Sequence, residues 1–195
     1  MEGHINDFIH KIYYFLKLSL LVNLGWLLGF CGLTALAAAV DTHQAAQNQE
    51  GQLSISYWWQ TYKAIFKVTW HLSWAYNLTS IFLLWLIWFT SQFKGLVFLM
   101  ALFIQIAALG LVILTTLIHA NLYPYIEASI KNQVSLAVSL TFVTTIPNIL
   151  FFAYLVFIAL VFRAMPALVV FLGSGLAIRI FHPLYLKYWR DLGLF

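Results

Sequence analysis

Long apolar stretches dominate the chain, and short polar segments separate them. A helix rises 1.5 Å per residue, so about 20 apolar residues cross a hydrocarbon core roughly 30 Å thick. Five stretches reach that length, and they predict membrane-spanning α-helices at 18–40, 72–90, 96–120, 140–162 and 167–186. The pattern therefore predicts one all-α integral membrane domain that covers residues 1–195.

The segment 54–70 has a different pattern, because its aromatic and aliphatic residues recur at helical spacing with lysines one turn apart. This spacing predicts an additional amphipathic helix that lies in the membrane interface and does not cross it. Such a helix either anchors the depth of the second span or docks a partner. The candidate interface contacts are Trp58, Trp59, Lys63 and Lys67, together with Glu127 in a later loop.

The first stretch has basic residues at its start and Ala37-Ala38-Ala39 at its end, as a cleavable signal peptide would. Its apolar part exceeds the 7–15 residues usual for a signal peptide, so we expect an uncleaved helix. Small residues lie four apart at Gly25 and Gly29 and again at Ala35 and Ala39. Such spacing lets helix backbones approach closely, either within this chain or against another subunit such as a second copy.

Composition agrees with a membrane protein, since 63% of the residues are hydrophobic and only 8% are charged. A soluble domain has about 25% charged residues, so we expect the lipid bilayer to surround most of this chain. The net charge of +4 lies in loops and ends, where basic residues set membrane topology. We therefore expect no nucleic-acid partner.

The distribution of Lys and Arg predicts the orientation of the chain. With five spans, one side carries Lys11, Lys17, Lys94 and Arg163, and the other carries Lys63, Lys67, Lys131, Arg179, Lys187 and Arg190. The side with more basic residues is expected inside, which places the N-terminus outside and the C-terminus inside. At the end of the last span, Arg179, His182, Lys187 and Arg190 are expected to reach the lipid headgroups.

Candidate chemistry is sparse. An ionisable group inside a membrane costs at least about 2.5 kcal/mol, which makes each one a functional candidate. Between residues 51 and 190 the sequence has a single carboxylate, Glu127, and Pro124 interrupts any helix that would align it with His119. The sequence contains no H-E-x-x-H, G-x-S-x-G, P-loop or paired-cysteine signature. We therefore predict no enzyme, no catalytic residues, no cofactor and no metal site.

Several neutral polar residues lie within the predicted spans, among them Asn23, Gln105 and Asn148. Such side chains usually form hydrogen bonds between neighbouring helices. A second interpretation is that they line a polar cavity for a solute.

The order of residues in the first stretch, Asn23-Leu24-Gly25-Trp26-Leu27-Leu28 and then Gly32-Leu33-Thr34 with small residues to Ala39, resembles the YesL family of bacterial membrane proteins. The aromatic and basic segment from Trp58 to Lys67, and Tyr123-Pro124 followed by Pro147, are similar to later parts of that family. The sequence departs from the family pattern at Cys31-Gly32, where a proline is usual.

The YesL family is a domain of unknown function, often encoded beside carbohydrate ABC-transporter genes. The resemblance implies a non-enzymatic accessory protein of the bacterial cytoplasmic membrane, with a sugar-transporter subunit as partner. The alternative is a small solute-binding membrane subunit of the energy-coupling-factor type, whose members have a similar length and usually six spans. A solute binder needs an enclosed polar cavity, whereas an accessory protein needs an exposed helix face.

Overall fold

The computed structural model describes residues 2–29, 32–48, 53–126 and 128–194. The regular structure in these ranges is helical throughout and includes no strand. The helices are α1 (Glu2–Gly29), α2 (Gly32–Asn48), α3 (Ile55–Thr90), α4 (Leu96–Leu122), α5 (Ile130–Val143), α6 (Thr145–Ala164) and α7 (Pro166–Asp191). A 3-10 turn (Tyr123–Tyr125) continues α4, and a π-helical stretch (Val169–Gly173) lies within α7.

Five of these segments are long and apolar enough to cross a membrane: Phe8–Gly29, Ile55–Thr90, Leu96–Tyr125, Thr145–Ala164 and Pro166–Asp191. The predicted fold class, an all-α membrane protein with about five spans, is confirmed. The chain is therefore a membrane protein.

The extent predicted for the first span, 18–40, needs correction. Helix α1 ends at Gly29 and a separate helix, α2, begins at Gly32. The apolar part of α2 is buried against α1, α3 and α4, and its residues 37–40 have no exposed surface. Hydropathy does not distinguish a helix that faces lipid from one that faces protein, so α2 looked like a continuation of α1.

The separate interfacial helix predicted at 54–70 also needs correction, because this segment is the first half of α3. Ser54 caps the start of α3, and its hydroxyl accepts a hydrogen bond from the Tyr57 amide at 3.2 Å. The helix then continues for 36 residues without a glycine or proline, so nothing in the sequence interrupts the backbone ladder. At 1.5 Å per residue α3 is about 54 Å long, which exceeds the thickness of a hydrocarbon core.

The fourth span starts later than the predicted residue 140. Helix α5 ends at Val143, and Thr144 leaves the helical conformation with φ −84° and ψ 59° before α6 begins. Pro147 is the third residue of α6, where its missing amide proton is tolerated because the first amides of a helix have no partner within it. In a continuous helix through 140–147, Pro147 could not have donated the usual hydrogen bond to the carbonyl of residue 143.

Close packing of α1 on α2 and α3 depends on Gly25. A β-carbon at this position would lie 2.9 Å from Ala35 Cβ and 3.1 Å from atoms of both Trp58 and Tyr62. The Tyr62 hydroxyl donates a hydrogen bond to the Gly25 carbonyl at 2.9 Å, and Trp58 stacks on Tyr62. The small side of α1 therefore faces this chain's own core.

We predict that Gly25→Ala lowers the stability of the protein by about 1–3 kcal/mol, because Ala35 Cβ is fixed to the backbone of α2 and has little room to move. Thermal unfolding in detergent, followed by tryptophan fluorescence, measures the change. Gly173→Ala is the matched control, since its β-carbon would meet the nearest atom at an ordinary 3.4 Å. Equal melting temperatures for the two variants would contradict the packing described here.

Candidate functional site

Polar side chains from four parts of the chain meet around two buried histidines. These residues are Tyr14 on α1, His43 on α2, Asn121 on α4, Tyr125 in the 3-10 turn and His182 on α7. The rings of His43 and His182 meet nearly edge to face, with 6.1 Å between their centroids. We call these five residues the histidine cluster. The cluster connects α1, α2, α4 and α7, which contribute residues from distant parts of the sequence.

Hydrogen bonds determine the tautomer of His182. Its Nδ1 lies 2.7 Å from the Asn121 side-chain oxygen, and the Asn121 amide group donates to the Leu117 carbonyl at 2.7 Å. Because the Asn121 oxygen can only accept, Nδ1 of His182 carries the proton. The other ring nitrogen then accepts a hydrogen bond from the Tyr125 hydroxyl at 3.2 Å.

The same reasoning applies to His43. The Gln47 amide nitrogen, which can only donate, lies 3.1 Å from Nε2, so Nδ1 carries the proton and donates it to the Tyr14 hydroxyl oxygen at 2.5 Å. Helix α2 is outside the five candidate spans. Burial and the nearby positive charge of Arg179 lower the pKa of His43 to about 4. His43 is therefore neutral at neutral pH.

A third buried histidine, His119 on α4, connects α4 with α3 and α5. Its Nε2 lies 3.2 Å from the Gln133 side-chain oxygen, and its Nδ1 lies 3.5 Å from the Tyr76 hydroxyl. The Gln133 amide nitrogen donates to the carbonyls of Ile126 and Ala128, which fixes the side chain with its oxygen toward His119. Glu127, the carboxylate weighed as a partner for His119, lies outside the described residues.

Both ring nitrogens of each of these three histidines are occupied by hydrogen bonds. To act as a base or as a metal ligand, a ring would first have to break one of them. Within the described ranges, no group of three or more His, Cys, Asp or Glu side chains lies close enough to hold a metal ion. The arrangement is suited to holding helices together, because a buried polar group is costly unless it is paired.

The sequence interpretation placed His182 at a lipid surface, and this needs correction. His182 is buried, and Tyr185 and Trp189 on the same side of α7 have no exposed surface. Arg179 and Arg190 are exposed, as expected. Residues 178, 181, 182, 185 and 189 repeat at helical spacing, and this periodicity was the available signal that they share a buried face.

The structure places the three candidate intramembrane polar residues in separate locations. Asn23 donates to the Val170 carbonyl at 2.6 Å, in the π-helical stretch of α7. Gln105 donates to the Thr90 hydroxyl at 3.0 Å, between α3 and α4. Asn148 donates to the Thr141 carbonyl at 2.6 Å and accepts from Tyr185. Each one joins two helical segments.

The candidate packing residues lie mostly inside the protein. Ala35 and Ala39 are fully buried, Gly25 packs on Ala35, and the Gly29 carbonyl accepts a hydrogen bond from the Trp74 indole at 3.1 Å. They contact this chain's own helices.

The candidate interface residues on α3 divide into two groups. Trp58 is only 1% exposed, because its ring packs in the core beside Tyr62, so it cannot serve as a surface contact. Trp59, Lys63 and Lys67 are exposed and lie along one side of the helix. Glu127, the fifth candidate, is outside the described residues.

A cavity of about 230 Å³ lies where α2, α3, α4, α6 and α7 come together. Most of its lining is apolar, and the polar groups that reach it are small ones from Asn77, Ser80, Thr116 and Ser174. Asn23, Gln105 and Asn148 do not line it. The cavity is smaller than the roughly 300–1,000 Å³ typical of small-molecule sites.

No family model, curated protein or solved structure matches this chain.

We predict that acidification destabilises the protein through His43. Its folded-state pKa of about 4 lies below the 6.5 of a free histidine, so the unfolded chain takes up the proton first as pH falls. The stability that neutral His43 contributes is complete above pH 6.5 and is lost between pH 6.5 and about 4. The full loss amounts to about 3 kcal/mol.

Thermal unfolding in detergent at about pH 7.5 and about pH 5 checks this prediction. The melting temperature of the wild-type protein should fall at the lower pH, and the fall should be smaller in His43→Gln. His10→Gln, which changes an exposed histidine on α1, should behave as wild type. A pH dependence that is the same in both variants would show that His43 does not contribute.

Proposed function

We propose that this chain is a non-enzymatic accessory membrane protein that acts by lateral contact with another membrane protein. The proposed contact surface is the outer hairpin, which we define as residues 78–109 of α3, α4 and the turn between them. The observation that carries the proposal is that Thr90, which faces α4, is the one buried residue of this hairpin.

The parts of α3 and α4 that flank the turn are not packed in the core. Between Ser73 and Thr90, α3 has no buried residue, and the first buried residue of α4 is Gly110. Bulky apolar side chains are exposed around the hairpin, among them Phe82, Trp85, Trp88, Phe103 and Ile104. Membrane helices associate through van der Waals packing, and a second protein that covered either side would contact these side chains.

The hairpin is stiff enough to present a defined surface. The Gln105 side chain joins α4 to Thr90 on α3, and Gly95 at the turn has φ 126°, a conformation that favours glycine. Aromatic rings continue from Phe89 to Phe93 to Phe98 with centroids 5.1 Å and 4.9 Å apart. These contacts hold the two helices in one arrangement before any partner binds, which lowers the entropic cost of association.

The solute-binding alternative is less well supported. The cavity between α2, α3, α4, α6 and α7 is small and mostly apolar, and the three polar residues expected to line a solute site form hydrogen bonds elsewhere. The occupied ring nitrogens of the buried histidines likewise favour a structural role over a catalytic one.

The resemblance to the YesL family supports a more specific version of the proposal. In that version the partner is a subunit of a carbohydrate transporter in the bacterial cytoplasmic membrane. The count of six basic residues against four no longer supports an external N-terminus, because it assumed that α1 and α3 cross in opposite directions. Helix α2 returns between them: Lys17 of α1 donates to the Leu53 carbonyl just before α3, and Tyr62 of α3 donates to the Gly25 carbonyl, so α1 and α3 run in the same direction.

Site-specific photo-crosslinking in the native membrane tests the contact surface. A photoreactive phenylalanine analogue replaces Phe103, whose side chain is 79% exposed on the outer hairpin, or Phe157, which is 61% exposed on α6. We predict a protein crosslink of defined mass at position 103 and crosslinks to lipid alone at position 157. Mass spectrometry identifies the partner, and a transporter subunit is the expected result.

Two outcomes would overturn the proposal. One is crosslinking to lipid alone at both positions, which would mean that the outer hairpin faces only the bilayer. The other is a small molecule retained through purification in mild detergent and lost in Ser80→Leu, a variant that fills the cavity. That result would favour the solute-binding alternative.

A further inference from the structure

We infer that the groove between the end of α1 and the first half of α3 is a binding site for an anionic phospholipid, with Lys63 and Lys67 on its phosphate and the groove around an acyl chain. The site is separate from the outer hairpin, and it stands or falls independently of the proposed function.

The groove has a volume of about 470 Å³ and an apolar lining. Leu28 of α1 forms one wall, and Trp59, Tyr62 and Phe66 of α3 form the other, with Lys63 and Lys67 at the rim. The aromatic wall is ordered by stacking, because Tyr62 lies 5.9 Å from Trp59 and 6.0 Å from Phe66 between ring centroids. An extended apolar chain fits such a lining better than a polar solute does.

The rim of the groove is basic and lacks a compensating acidic group on its own helix. Helix α3 has no Asp or Glu along its 36 residues. The carboxylate of Asp41 contacts the other side of α3, where it accepts hydrogen bonds from Tyr57 at 3.0 Å and Thr61 at 3.4 Å. Residues two apart on a helix point in nearly opposite directions, so this carboxylate is directed away from Lys63.

Lys63 is already oriented by the aromatic wall. Its ammonium group lies 5.4 Å from the centroid of the Trp59 ring, within the range of a cation–π contact. Lys67 follows one helical turn later on the same side, so the two side chains extend from neighbouring positions of the helix. Two neighbouring point charges beside an apolar groove complement a ligand with an anionic head and an apolar tail.

Lys63 and Lys67 lie in the first half of α3, a long apolar stretch away from the turn after Thr90. If the polar turn after Thr90 is at one membrane surface, Lys67 lies 23 residues away, or about 35 Å along the helix. This distance is close to the thickness of a hydrocarbon core, which is about 30 Å. Tryptophans mark the same two levels, with Trp70 and Trp74 near the lysines and Trp85 and Trp88 near the turn, as expected for interfacial aromatic belts.

These observations favour a lipid over a soluble ligand. A free anion would use the lysines and leave the apolar groove uncovered, whereas a neutral lipid would use the groove and leave the charges without a partner. An anionic phospholipid such as phosphatidylglycerol uses both.

Native mass spectrometry of the purified full-length protein tests the site. The protein in detergent is titrated with dioleoyl phosphatidylglycerol or with dioleoyl phosphatidylcholine, and bound lipid is counted. We expect saturable binding of the anionic lipid. Each lysine near an anionic headgroup is expected to contribute roughly a fivefold increase in affinity, so Lys63→Gln/Lys67→Gln should weaken binding about thirtyfold.

Matched variants separate this site from general charge effects. Lys94→Gln/Arg163→Gln removes the same charge at two exposed positions outside the groove and should bind as wild type. Lys63→Arg/Lys67→Arg should retain binding. Leu28→Trp, which fills the groove from an exposed position and keeps both charges, should weaken binding and should not impair folding.

Several outcomes would overturn the inference. They are equal binding of the two lipids, equal losses in the groove variant and in its charge-matched control, and unchanged binding in Leu28→Trp. Displacement of the lipid by inorganic phosphate at the same concentration would show that the acyl chain is not held. Preference for an acidic peptide over phosphatidylglycerol would assign the groove to a protein partner instead.

Discussion

The arrangement of the whole bundle depends on how the buried start of α2 satisfies its backbone amides. The first amides of a helix have no acceptor within it, and in the interior of a membrane protein water does not replace one. Ser73 of α3 supplies the acceptor, with its hydroxyl 3.1 Å from the Leu33 amide and 3.5 Å from the Thr34 amide. The Thr34 hydroxyl in turn lies 3.0 Å from the Thr69 hydroxyl. Because these groups are buried, α2 can occupy this position only if α3 runs past it in one register.

The fixed position of α2 organises the rest of the protein. Its small residues allow α1 to approach at Gly25, and its polar end brings His43 to His182 on α7. The first half of α3 packs on α2, while the second half continues beyond it with α4 as the outer hairpin. Helix α2 is shorter than its neighbours. The protein is therefore divided into a packed part around α2, where polar groups are paired, and the apolar outer hairpin.

The sequence predicted the class of fold and the approximate positions of four spans, because apolar stretches of spanning length are a local property. It did not reveal α2, since a chain buried by protein has the same composition as one buried by lipid. Neither did it reveal the histidine cluster, whose members His43 and His182 are 139 residues apart and meet only through the packing of α1, α2, α4 and α7. The polar residues Asn23, Gln105 and Asn148 lie within candidate spans and form hydrogen bonds between helical segments. Which acceptor each would find depended on helix contacts that have no signature in one sequence.

The continuity of α3 connects parts of the protein that sequence patterns had separated. The aromatic and basic segment and the second span are one helix without glycine or proline, so a shift of one end in depth moves the other end by the same amount. Anything that holds Lys63 and Lys67 at a headgroup layer therefore also sets the height of Trp88 and of the turn that follows Thr90. A helix of about 54 Å in a core of about 30 Å has to project from it, and tilting alone removes only a small part of that excess. The half that packs on α2 is buried by protein in place of lipid, so the capping of α2 by Ser73 and the burial of this half of α3 are two consequences of the same register.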